Sequence, residues 1–176
     1  MDATNKIFGY LKMNEVSIRL MQDEDSSTVL SIFAEGIATG IATFETKCPT
    51  WNEFNQRFLK SPRLVAENKG QIIGWVVLSP VSSRSCYQGV AEISLYVASH
   101  ERGRGVGRLL LQALIDASEK EGFWTLQGTI NELNQASIEL HKKCGFRMVG
   151  YRERIAKRDG KWQNTVILER RSNKFN

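Results

Sequence analysis

"HERGRGVGRLLLQALIDA", residues 100–117, carries three glycines and three arginines in its first nine positions, then an apolar stripe at 106, 109, 110, 113, 114 and 117. That spacing is the period of a helix with one face buried. Just upstream, "VAEISLYV" (90–97) alternates as a strand does. A strand feeding a glycine-rich loop that opens a helix suits phosphate. Glycine lets the backbone approach a ligand, and the first N–H groups of the helix point outward with the positive end of the dipole behind them. Arg102, Arg104 and Arg108 add positive charge around that nest.

Spacing separates the known phosphate sites. A P-loop needs Lys-Ser/Thr after its last glycine, and here Arg108-Leu109 follows Gly107. A dinucleotide fingerprint needs G-x-G-x-x-G, which Gly103-Arg104-Gly105-Val106-Gly107 does not supply. An RNA-binding Arg-Gly tract would be repetitive, whereas this one runs into an amphipathic helix. The plain alternative is an arginine-rich turn with a tight helix entry.

Reading outward, "NEVSIRLMQ" is a first strand, and the domain begins near Met13 after an N-terminal extension of residues 1–12. A helix is predicted from Asp23 to Ile37, and a second after Thr50, where Glu53 completes a capping box. "RLVAENKGQIIGWVVLS" is a hairpin turning at Asn68-Lys69-Gly70. "FWTLQGTI" is a strand, and "NQASIELHKKCGF" a helix from N-cap Asn134 to a glycine C-cap at Gly145. Two last strands meet at Arg158-Asp159-Gly160-Lys161. The order β-α-α-β-β-β-α-β-α-β-β predicts one α/β (α+β) domain, residues 13–176, with a central mixed, mostly antiparallel twisted sheet flanked by helices. Trp51, Trp75, Trp124 and Trp162 are assigned to packing.

The chain has 176 residues, 41% hydrophobic and 24% charged, an ordinary globular balance. No apolar run approaches the roughly 20 residues of a membrane helix, and no signal peptide is visible. Three scattered cysteines fit reduced thiols in the cytoplasm; with two histidines and no short Cys/His spacing, no metal site is expected. The net charge of +5 favours anionic partners and leaves nucleic acid, a membrane surface and a phosphate-rich cofactor open.

"RGRGVG" resembles the Arg/Gln-x-x-Gly-x-Gly/Ala loop of the GNAT N-acetyltransferase superfamily. "AEISLYV" is similar to its fourth strand, and "NELNQASIELHKKCGF" to its later cofactor-contacting helix. "ATFET", "LVAENKGQIIGW", "SSRSCYQGVAEISLYV" and "DGKWQNTVIL" resemble the phosphinothricin and methionine sulfoximine N-acetyltransferase group. The likeness runs from about Glu15 to Leu168. It implies the GNAT fold, acetyl-CoA as donor, a small amine or amino-acid analogue as acceptor, a homodimer, and neither nucleic acid nor membrane as partner.

The resemblance also assigns residues. Arg102, Gly103, Arg104, Gly105, Val106, Gly107 and Arg108 would hold the coenzyme A pyrophosphate. Backbone N–H groups of Leu95, Tyr96 and Val97 would serve the thioester carbonyl and pantetheine, and Asn134, Ser137 and Lys143 the cofactor. Arg84 and Tyr87, with Ser85 and Cys86 in the same loop, would meet the acceptor, an arginine fork suiting its carboxylate or phosphinate; Phe44 reads either as a wall of that pocket or as a core aromatic. Amine acetylation needs a base, since an α-amino group is mostly protonated at neutral pH. Alternation puts Glu92 on one strand face with Ser94 and Tyr96. It reads either as that base, acting through a water, or as a solvent-facing acid. His141 reads as the general acid for the thiolate or as a structural histidine. A protein or ribosomal N-terminal acetyltransferase is the alternative within the fold, and a basic nucleic-acid-binding module the alternative outside it.

Overall fold

Lys69-Gly70 and Asp159-Gly160 take positive φ values of 50° and 80°, and 48° and 78°. Paired left-handed residues make the two-residue turn whose twist matches antiparallel strands, and both predicted hairpins form there. The structure is a computed structural model describing residues 15–175. The expected extension, residues 1–12, and the domain start near Met13 lie outside the described residues.

The elements are β1 (Val16–Leu20), α1 (Ser26–Ala38), α2 (Trp51–Arg57), β2 (Arg63–Asn68), β3 (Gln71–Pro80), β4 (Val90–Val97), α3 (Val106–Lys120), β5 (Thr125–Asn131), α4 (Gln135–Lys143), β6 (Arg147–Arg158) and β7 (Lys161–Arg171). They form one seven-stranded sheet ordered β1-β2-β3-β4-β5-β7-β6, antiparallel throughout except between β4 and β5. This is the mixed, mostly antiparallel sheet with flanking helices that the order of elements predicts.

Helices cover both faces. Leu110, Leu114 and Ile115 of α3 pack with Leu64, Val76, Leu78, Leu126 and Leu168 of the sheet. On the other face, Val29, Ile32 and Phe33 of α1 and Phe54 of α2 pack with Val65, Trp75 and Val77. β3 alternates between the two cores, so it reads as one apolar run rather than as apolar alternating with polar. α3 buries more than its predicted stripe, adding Leu111, Ile115 and Ser118.

Helix ends follow local chemistry, with one correction. Thr50 and Glu53 form the predicted capping box, and Asn134 accepts the Ser137 N–H at 3.2 Å. The first helix starts later than predicted: Asp23–Asp25 is a 3₁₀ turn, and α1 begins at Ser26. The buried Asp25 carboxylate is committed to Arg19, at 2.8 and 2.9 Å, and to the Gln22 N–H, and so caps no α-helical turn. Trp162 also departs from expectation. It is 58% exposed, with the Lys157 ammonium 5.6 Å from its ring centre.

Candidate active site

The one parallel pairing among the described residues is short. β4 and β5 match only over Val90–Glu92 and Thr125–Gln127; beyond Glu92, β4 stays with β3 and β5 with β7. The sheet therefore opens into a wedge whose apex is Glu92. A cleft of about 860 Å³ fills it. Its lining draws on Ile93, Leu95 and Val97, which face α3, and on Glu92, Ser94 and Tyr96, which face α1. The opening thus passes through the sheet.

The ladder fixes which backbone groups meet that cleft. The Ala98 N–H donates to the Ile73 carbonyl at 2.9 Å, and the β3–β4 register is unbroken from Gly74↔Val97 to Pro80↔Ala91. In an antiparallel pair, bonded and non-bonded positions alternate. Tyr96, Ser94 and Glu92 thus commit their backbone to β3, while Leu95 and Val97 turn theirs toward the side β5 has left. Of the three predicted donors, Leu95 and Val97 address the cleft through N–H groups. Tyr96 contributes its ring instead, stacked on Trp75 with centroids 4.7 Å apart and pressed against Gly36.

At the α3 end the predicted nest forms. Gly103 and Gly105 take positive φ, 75° and 85°, and a Cβ on Gly103 would meet nothing within 4 Å among the described residues. The first helical bonds run from the Arg108 and Leu109 N–H groups to the Gly105 carbonyl. Val106 and Gly107 N–H have no helical carbonyl ahead of them. Gly103, Gly105, Val106, Gly107, Arg102 and Arg108 all line the cleft, as do Asn134, Ser137 and Lys143 from the α4 side. Arg102 donates from Nε to the Val97 carbonyl at 3.1 Å, tying the loop to the strand end. Arg104 lies apart from this lining, 67% exposed and 3.4 Å from Glu101. A bare backbone loop, a helix N-terminus and nearby cations fit a pyrophosphate.

His141 is 4% exposed, edge-on to Phe146. Its Nδ1 lies 2.8 Å from the Ser137 carbonyl. A carbonyl only accepts, so Nδ1 carries the proton and Nε2 the lone pair. Burial pushes the imidazole pKa down, which favours that neutral form. The buried Nε2 has no hydrogen-bond partner among the described residues and faces Gly128, where a Cβ would come within 3.1 Å of it.

On the α1 side the half-buried Glu92 accepts a 3.0 Å hydrogen bond from the Thr129 hydroxyl. The segment after α1 supplies Phe44, as predicted, together with Glu45, which pairs with Arg57 at 2.6 Å. Arg158, near the β6–β7 turn, donates to the Thr43 and Ile37 carbonyls at 2.5 and 2.8 Å, strapping the hairpin onto this segment. Arg84, Ser85, Cys86 and Tyr87 are placed elsewhere. They form an exposed turn before β4, with Arg84 over the Tyr87 ring, and do not line the cleft. Thr129, Arg158 and the Glu45–Arg57 pair were not singled out from the sequence. Threonine is ordinary in a strand, and the other three touch only through contacts distant in the chain.

A sequence profile of the Acetyltransferase (GNAT) family matches residues 32–146, the stretch that holds β4, β5 and helices α3 and α4. The chain belongs to the GNAT acetyltransferase family. This GNAT acetyltransferase is 32% identical to phosphinothricin N-acetyltransferase of Alcaligenes faecalis, over 96% of this chain and 89% of the relative. It is 29% identical to the L-methionine sulfoximine/L-methionine sulfone acetyltransferase of Pseudomonas aeruginosa, over 87% and 92%. Among solved structures, a ribosomal-protein-alanine N-acetyltransferase from Brucella melitensis superposes with TM-score 0.81 at 29% identity, covering 88% of this chain and 99% of that one. A phosphinothricin acetyltransferase from Sinorhizobium meliloti, in complex with acetyl-CoA, superposes with TM-score 0.80 at 26% identity, covering 89% and 88%.

Proposed function

We propose that this enzyme acetylates the primary amine of a small amino-acid-like acceptor, of the phosphinothricin, methionine sulfoximine or methionine sulfone type, with acetyl-CoA as donor. The observation that carries this reading is the passage through the sheet, with a pyrophosphate nest at one mouth and a carboxylate at the other. Acetyl-CoA supplies an activated acyl thioester. The Gly103–Gly107 backbone and Arg108 hold its pyrophosphate, with Lys143, Asn134 and Ser137 alongside. The outward N–H groups of Leu95 and Val97 face a developing oxyanion, which a fixed backbone dipole stabilises without reorganisation. Glu92 takes the amine proton, through a water, as the nitrogen attacks.

His141 is neutral at rest and accepts at Nε2, so the only proton it can pass to the departing thiolate is the one released by the attacking amine, relayed from Glu92 through water. A resting imidazolium acid would make the rate fall as pH rises. We expect no such fall between roughly pH 7 and 9; one that His141→Phe abolishes would restore the resting-acid role.

The likeness to the ribosomal-protein-alanine enzyme favours a second acceptor, a protein N-terminus. The 32% identity to phosphinothricin N-acetyltransferase, over 96% of this chain, supports the small molecule. A thiol-release assay with acetyl-CoA decides: amino-acid analogues should outpace N-terminal peptides by at least about 100-fold in kcat/KM, and the reverse ranking would overturn the reading. We also propose a cytoplasmic homodimer. Cys48, Cys86 and Cys144 are free thiols, and the edge-strand hairpin exposes Met148, Tyr151, Ile155 and Trp162, an apolar surface suited to a second copy. A monomeric mass by light scattering would exclude the dimer.

A further inference from the structure

Where the backbone ladder between β4 and β5 ends, a side-chain bond takes over. Glu92↔Gln127 is the last β4–β5 pair. Thr129, two residues further along β5 and on the same strand face as Gln127, reaches back across the wedge to donate from Oγ1 to Glu92 Oε2 at 3.0 Å. We infer that Thr129 is a positioning residue for Glu92, holding one carboxylate oxygen so that the other is aimed at the water that carries the acceptor's proton. This rests on the proposed base role of Glu92.

Two physical points favour it. A glutamate on an open wedge has rotamer freedom, and proton transfer requires one orientation, so a fixed carboxylate removes an entropic cost from the reacting complex. The donor is itself held, because a β-branched residue is stiff at χ1. A hydrogen bond to a charged acceptor is also stronger than one between neutral groups. Thr129 lines the same cleft as Glu92, so the bond lies at the reacting end of the passage rather than in the core.

The experiment is a double-mutant cycle on the full chain, with thiol release from acetyl-CoA and methionine sulfone as acceptor. Thr129→Val keeps the shape and removes the hydroxyl. It should lower kcat about tenfold while the KM for acetyl-CoA stays within about twofold. Thr129→Ser should recover most of the loss. In a Glu92→Gln background, Thr129→Val should cost less than about twofold, because no carboxylate remains to be aimed. Wild-type kcat in Thr129→Val, an equal loss in both backgrounds, or no recovery by serine would overturn the inference while leaving the base role standing. Full activity in Glu92→Gln would instead remove the base role, and this inference with it. A melting temperature for each variant separates misfolding from misorientation, since a merely structural Thr129 would move stability and the KM for acetyl-CoA together.

Discussion

Glu92 is an acid in an otherwise apolar and hydroxylic strand, at the last position before β5 departs. The base role proposed for it fixes what Glu92→Gln should do. The amide keeps size and hydrogen bonding but accepts no proton, so kcat should fall by about 100-fold or more while acetyl-CoA affinity, measured by calorimetry, stays unchanged. A second prediction concerns Gly36 of α1. Alanine normally stabilises a helix relative to glycine, by up to about 1 kcal/mol. Here a Cβ would come within 2.5 Å of the Tyr96 ring, which is held between Phe33 and Trp75. Gly36→Ala should therefore destabilise by about 1–3 kcal/mol, read as a lower melting temperature. Glu92 was legible in the sequence because alternation made its charge conspicuous. Gly36 was not, because nothing local says that an aromatic ring from another strand will lie on it. Thr129 was hidden for the opposite reason: its residue type is what a strand prefers anyway.

Elements whose ends are written in local chemistry were read almost to the residue. The Thr50–Glu53 box, the Asn134 cap and the Lys69-Gly70 and Asp159-Gly160 turns each satisfy backbone needs within a few positions. The exposed turn carrying Arg84 was read equally well as a loop, but its expected place at the cleft depended on tertiary packing, which a loop's own sequence does not encode. The segment between α1 and α2 is instead held by Arg158, a hundred and more positions away in the chain. Arg158→Ala should release it, raising the KM for the amine acceptor by about tenfold with the KM for acetyl-CoA within about twofold. Lysine should rescue poorly, since one ammonium cannot reproduce a fork that meets two carbonyls. Equal changes in both KM values would argue that the strap serves the whole fold and not the acceptor mouth.

At the scale of the molecule, the C-terminal strand is fastened to the back of α3. Glu119, 8% exposed, meets Arg170 at 2.9 Å and Lys174 at 2.8 Å. Burial raises its pKa, but hydrogen bonds from Lys174, Arg170 and Ser172 outweigh it and hold the carboxyl at about 2, below its ordinary 4.5. A depressed carboxyl stabilises the fold above its unfolded value and loses that contribution as pH falls toward its folded one. The melting-temperature gap between wild type and Glu119→Gln should thus be widest above pH 4.5 and close as pH approaches about 2. A gap that stayed constant across that window would mean the pair adds nothing through its charge.

The brevity of the one parallel pairing has a mechanical meaning as well. β1–β4 and β5–β7 are two leaves of a sheet joined by a hinge pin only three residue pairs long, Val90 to Glu92 against Thr125 to Gln127. A molecule seated in the gap touches both leaves and splints them, much as a missing strand would. Ligand binding should slow amide hydrogen exchange in Ile93–Val97 and in Gly128–Asn131 together, on leaves that make no backbone bonds to each other there.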